Sequence, residues 1–184
     1  MARLKSSEDF NLKGAIIYSA VFSVLIFLLT VLQTTCLSLI GVTPALTFAV
    51  VCAIGFILGK KAGAVAGIYA GALMIILGGV GASLSPVLYA FCGYLCGAFV
   101  GWFLSKNLPS FIIYSAIAGI LLEISTVIYY GLFSESFSLW QLTFKLLIPE
   151  YFAFLLCVIP AYASVFGIYT LFKGKDKRKR RNFN

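Results

Sequence analysis

The chain has no histidine, six acidic residues against fourteen basic ones, and charged side chains at only 11% of its positions. The missing histidine removes the side chain that most often serves as general acid, general base or metal ligand near neutral pH. The five cysteines, Cys36, Cys52, Cys92, Cys96 and Cys157, form no CxxC pair and lie in or beside apolar runs. Cys92 and Cys96 stand one helical turn apart, but two thiols with no further donor do not make a zinc site. All five read as small apolar packing residues. The sequence contains no nucleophile elbow, no phosphate loop and no acidic metal cluster. The expectation is a non-enzymatic protein with no metal and no cofactor.

What fills the place of charge is hydrocarbon. The chain is 61% hydrophobic with a mean hydropathy of +1.03, whereas a soluble domain carries about 25% charged residues. A chain of this kind uses lipid as its solvent. Six apolar runs can be drawn, at 14–33, 44–59, 62–77, 86–104, 110–133 and 149–172. Six spans of about 20 residues take up roughly two thirds of the chain and leave no room for a second domain. The expected fold is therefore an all-α membrane protein with six transmembrane helices in one bundle. A short polar lead (1–13) precedes the transmembrane domain (14–172), and a basic tail (173–184) follows it. The first run is too long for the core of a secretory signal, so no cleavable signal peptide is expected.

Charge bias gives the orientation. With the N-terminus inside, Arg3, Lys5, Lys13, Lys60, Lys61, Lys106, Lys173, Lys175, Lys177, Arg178, Lys179, Arg180 and Arg181 all fall on the cytoplasmic side, and only Lys145 falls outside. Positive-inside bias and hydropathy are independent signals, and they agree on both termini being cytoplasmic. The basic tail follows a span directly, so it reads as a topology signal that also meets anionic inner-leaflet lipid; nucleic acid is not an expected partner. Lys60-Lys61 and Ser105-Lys106-Asn107 read as inner turns, and Gly78-Gly79-Val80-Gly81 as an outer loop. The outer segment 134–147 spaces Phe137, Leu139, Trp140, Leu142 and Phe144 in a partly helical way, which suits a short interfacial helix. Pro160 is expected to kink the sixth span.

Two glycine ladders are the strongest local pattern. Gly63, Gly67 and Gly71 recur at every fourth residue of the third run, and Gly93, Gly97 and Gly101 do the same on the fourth. Four-residue spacing puts each set on one helix face, where backbones can approach closely. Packing of these two helices against each other is the plainer reading, and docking of a partner's helix on one ladder is the other. Glu123 is the one carboxylate well inside a span, and an ionisable residue there marks a candidate functional position. Gln33 and Glu150 fall near the outer boundary, where either could be an interfacial anchor. Tyr69, Tyr89, Tyr94, Tyr114 and Tyr162 lie within spans, as cavity lining or as aromatic packing.

Several of these stretches resemble a known family. Leu32-Gln33-Thr34-Thr35, followed by Gly41-Val42-Thr43-Pro44-Ala45-Leu46, is similar to the MreD family of rod shape-determining membrane proteins. The similarity continues through Gly67-Ile68-Tyr69-Ala70-Gly71-Ala72-Leu73 and Leu88-Tyr89-Ala90-Phe91-Cys92-Gly93-Tyr94-Leu95-Cys96-Gly97. It covers roughly residues 30 to 100, and Gln33 and Pro44 are its motif positions. Where the family usually carries acids, this chain has Ala45 and Ile75, so no role tied to those acids carries over. The resemblance implies a bacterial plasma-membrane scaffold of the elongation machinery that makes peptidoglycan and sets rod shape. Its implied partners are MreC and, with it, MreB, RodA and a class B penicillin-binding protein, with no small-molecule substrate.

The alternative comes from another class. Vitamin-binding substrate components of energy-coupling-factor transporters are six-helix proteins of this size with a fold similar to that of the resembled family. Such a protein needs an outward pocket with convergent polar groups, to which Tyr89, Glu123, Glu150 and Trp140 could contribute. No alanine-rich docking motif for a coupling subunit is evident on the first run.

Overall fold

The computed structural model describes residues 19–37, 45–77, 85–102, 107–133 and 148–181. The described protein is all-helical. We number its helices α1 (Ser19–Thr35), α2 (Leu46–Leu58), α3 (Lys60–Ile76), α4 (Ser85–Trp102), α5 (Leu108–Phe133) and α6 (Ile148–Arg181). A π-helical turn, Gln33–Leu37, closes α1. Pro44, the glycine loop 78–81 and the outer segment 134–147 lie outside the described residues.

Helix α2 is the centre. Every residue from Thr47 to Ile57 is buried. A helix that is apolar all round must be surrounded, and α2 packs on α3, α4 and α6. It is only 13 residues long, about 20 Å at 1.5 Å per residue. Aromatic rings seal it at two levels. Phe48 meets Tyr89 of α4 at 5.0 Å and Phe154 of α6 at 5.8 Å between ring centroids. Two turns further on, Phe56 meets Phe111 of α5 at 5.4 Å and Tyr162 of α6 at 6.3 Å. Tyr89 and Tyr162 are thus core packing, whereas Tyr69 and Tyr94 are exposed. Helix α1 buries a single stripe, Phe22, Ile26, Thr30 and Gln33, and turns Val24, Phe27, Leu28 and Leu32 outward.

The reversal between α2 and α3 differs from the sequence expectation. The turn is Gly59 alone, at φ 104° and ψ 171°. Lys60 and Lys61 are the exposed first residues of α3. An abrupt reversal needs a positive φ, which glycine accepts without steric cost, and lysine supplies nothing of that kind. The hydrogen bonds Gly59 N–H to Gly55 O (2.9 Å) and Gly63 N–H to Gly59 O (3.1 Å) carry the ladder up to and away from this pivot. Helix α6 also runs beyond its apolar stretch and stays helical through Pro160 and into the basic tail. Lys and Arg are good helix formers, so the backbone has no reason to stop where hydropathy does.

Two helices are long and apolar enough to cross a membrane, over Leu108–Ile128 and Ile148–Leu171. Only 22% and 28% of their apolar windows are buried, so neither is mostly buried as a core helix would be. Ser19–Thr35, Leu46–Leu58 and Ser85–Val100 are apolar but shorter.

Candidate functional site

Three regions hold the residues singled out by the sequence. The first is the α3–α4 pair, which makes the most extensive helix contact among the described residues. The two helices run antiparallel and their ladders meet at Gly63 and Gly93, while Gly67 and Gly71 pack on the backbone of Tyr89–Ala90 and Ser85–Pro86, and Gly97 on that of Gly59–Lys60. A Cβ built on Gly63 would lie 2.6 Å from Gly55 Cα, one on Gly67 2.5 Å from Ala90 N, and one on Gly71 2.8 Å from Ser85 C. From the other side, a Cβ on Gly97 would lie 2.6 Å from Gly59 C. Side-chain carbons essentially never come within 3.0 Å of such atoms. The faces of Gly63, Gly67, Gly71, Gly93 and Gly97 are therefore occupied by the protein's own backbone. The surroundings of Gly101, in the last turn of α4, lie outside the described residues. Sequence reasoning missed one member. Gly55 of α2 meets Gly63 and Gly93 at a point where three backbones converge. The signal was present: Gly55 and Gly63 are each four residues from the Gly59 pivot, so the reversal brings them opposite one another.

The second region joins α1 to α2. The N-cap residue of α2 is Ala45, which has no side chain able to cap. Gln33 supplies the acceptor from α1: its Oε1 takes a hydrogen bond from Thr47 N–H at 3.1 Å. Below it, the Thr30 hydroxyl donates to Ile26 O at 2.7 Å and lies 3.3 Å from the Thr47 hydroxyl. Gln33 is 5% exposed, so it is a buried clamp and not an interfacial anchor. Replacing it with leucine leaves a buried N–H without its partner. Gln33→Leu is expected to lower stability by about 1–2 kcal/mol. Adding Ala45→Asp, which puts a carboxylate at the N-cap, should return part of that loss. Thermal unfolding midpoints of the detergent-purified variants measure both effects, and an unchanged midpoint for Gln33→Leu would rule the clamp out.

The third region surrounds Glu123. Helices α5 and α6 frame an open groove of about 540 Å³. Ile120, Ile124, Val127 and Ile128 line it from α5, and Ile148, Tyr151 and Phe152 from α6. Glu123 sits among them as the one ionisable carboxyl of the lining. The α6 wall is held rigidly. The Tyr151 hydroxyl donates to Ala116 O of α5 at 3.1 Å. The absence of a side chain at Gly119 lets the Phe154 and Tyr151 rings sit against α5, where a Cβ would lie 2.6 Å from Phe154 Cε1. Glu150 lies in the first turn of α6, where the helix dipole favours an acid. Tyr89 is packed in the core against Phe48 and does not line this groove. Trp140 lies outside the described residues.

Cys52, Cys92 and Cys96 are buried free thiols on α2 and α4. Among the described residues, no group of three histidine, cysteine or acidic side chains is placed to hold a metal ion. Comparison with protein-family models, with curated proteins and with solved structures found no match.

Proposed function

We propose that this chain is a non-enzymatic, multi-pass scaffold of the bacterial plasma membrane, of the MreD type, and that it holds a transmembrane helix of MreC within the elongation machinery. In this reading the shorter helices cross the membrane together with α5 and α6 as one six-span bundle, with both termini cytoplasmic. MreB, RodA and a class B penicillin-binding protein are then reached through that assembly. The observation that carries the reading is the division of surfaces. The glycine faces are filled by α2, α3 and α4 themselves, and the centre is sealed by aromatic rings. The groove along α5 and α6 opens outward and is apolar except at Glu123 and the Tyr151 hydroxyl. A protein built to carry a solute needs a concave pocket that buries its ligand and sets several convergent polar groups in an apolar lining, whereas one that holds another helix needs an open apolar groove on its outer face. The stretches around Gln33 and through α3 and α4 that resemble the MreD family are what support naming that type.

Affinity purification of the tagged full chain from its native membrane in mild detergent, with mass spectrometry of proteins and small molecules, tests this. Recovery of MreC with no tightly bound small molecule is the expected result. Recovery of a vitamin, or of ATP-binding-cassette subunits, would overturn it in favour of the transporter component.

A further inference from the structure

The groove has a property that a lipid-filled crevice should not have. Its walls are isoleucine, valine and phenylalanine, yet a carboxyl sits in the middle of them. Glu123 lies five residues, or about 7.5 Å along the helix axis, inside the end of the apolar stretch of α5 at Ile128. Among the described residues no hydrogen bond or ion pair engages it. A carboxyl in an apolar medium is costly unless it meets a donor or a cation, and an acyl chain supplies neither.

We propose that the α5–α6 groove receives a transmembrane helix of another protein, and that this helix carries a lysine or arginine opposite Glu123. The inference rests on the membrane reading above and names the chemistry of the partner that the scaffold would hold. The dimensions fit. Ile120, Ile124 and Ile128 recur at every fourth residue along α5, with Phe152 facing them from α6, so the ridge of one further helix can lie between the two. Tyr151, tied to Ala116 O, keeps the groove open before the helix arrives. A second copy of this chain does not meet the requirement. Between Lys13 and Lys173 its only basic residues are Lys60, Lys61, Lys106 and Lys145, all outside the apolar runs of the sequence, so no apolar run carries a cation at the depth of Glu123.

The test uses the full chain in phosphatidylcholine nanodiscs and a designed Leu/Ala single-span helix. That helix carries one lysine at the depth of Glu123, or leucine or glutamate at the same place. Association is read by energy transfer between fluorophores. The lysine helix is expected to bind the native chain about tenfold more tightly than the leucine helix. Glu123→Gln should erase that preference, and Glu123→Lys combined with Glu150→Gln, which removes the neighbouring acid that acts on position 123, should transfer it to the glutamate helix. The charge swap guards against simple misfolding, because only a folded groove can bind the swapped helix. Equal weak association of all three helices with the native chain would mean that lipid alone fills the groove, and would overturn the proposal. So would a lysine preference that survives Glu123→Gln, or one that emerges only in Lys145→Gln, since the chain would then be closing the groove itself. The probe is synthetic, so this result is independent of whether MreC is recovered in the purification above.

Discussion

Gly63→Leu is expected to abolish the folded bundle, while Gly167→Leu leaves it intact. Both glycines sit on helices and both substitutions add the same side chain. The difference is in what the new atoms meet. A Cβ on Gly63 would fall 2.6 Å from Gly55 Cα and 2.8 Å from Gly93 C, with Gly93 O closer still, whereas a Cβ on Gly167 has nothing within 4 Å. The obstacles at Gly63 are backbone atoms of two helices, so no side chain can swing aside. Either α2 and α4 separate from α3 or the chain does not fold. Overpacking a core by a methylene or two costs about 1–3 kcal/mol, occasionally more. Leucine wedged between three backbones should exceed that range, and even Gly63→Ala should reach its upper end. The separation would also remove Gly55 and Gly93 from contact, so Gly93→Leu combined with Gly63→Leu should cost little more than either alone. Gly59→Ala should also destabilise, for a different reason: its Cβ has open space but its φ of 104° is strained for any side chain. Size-exclusion profiles and unfolding midpoints in detergent read all of these. A Gly63→Leu protein with a native profile would mean that the three-helix junction is not what holds the bundle.

How much of this was legible in the sequence depends on which physical signal each feature leaves. The ladders on α3 and α4 were readable because four-residue spacing and the absence of a side chain are both written in the chain. Gly55 was not read as part of the junction, because a ladder on one helix says nothing about the helix before the turn; the pivot at Gly59 supplies that relation. The lysines at 60 and 61 drew attention to the turn by their charge, while the reversal itself was set by the glycine before them. Gln33 looked like a boundary residue because hydropathy sees only its polarity. Its partner, the Thr47 N–H, is a backbone group that no composition measure registers. Hydropathy also failed to show that α2 lies at the centre. In a chain whose exterior is as apolar as its interior, buried and outward faces carry the same residues, and the periodicity that would separate them in water is flattened. Glu123 stood out because a single acid among isoleucines needs no alignment to be noticed, but only the α5–α6 geometry places it in a groove.

That equivalence of inside and outside leads to the second large effect, expected at Leu156. It lies near the middle of the apolar stretch of α6 and is 75% exposed. On a water-soluble protein, Leu156→Lys at so exposed a site would change stability by no more than about 0.5 kcal/mol, and it would raise solubility. In a bilayer the same lysine lies far from either interface, and a charge near the centre of a spanning helix costs about 2.5–3.5 kcal/mol of insertion free energy. Snorkelling along a four-carbon stem recovers only part of this, because Leu156 is eight residues, or about 12 Å, from the start of the helix at Ile148. The two solvents therefore predict opposite signs from one substitution. Membrane integration, measured by resistance to alkaline extraction after expression, is expected to fall sharply for Leu156→Lys and to be unchanged for Leu156→Met. Release of Leu156→Lys as a folded, monodisperse protein without detergent would show that the outward faces of α5 and α6 are not solvated by lipid, and the six-span reading would fall with it.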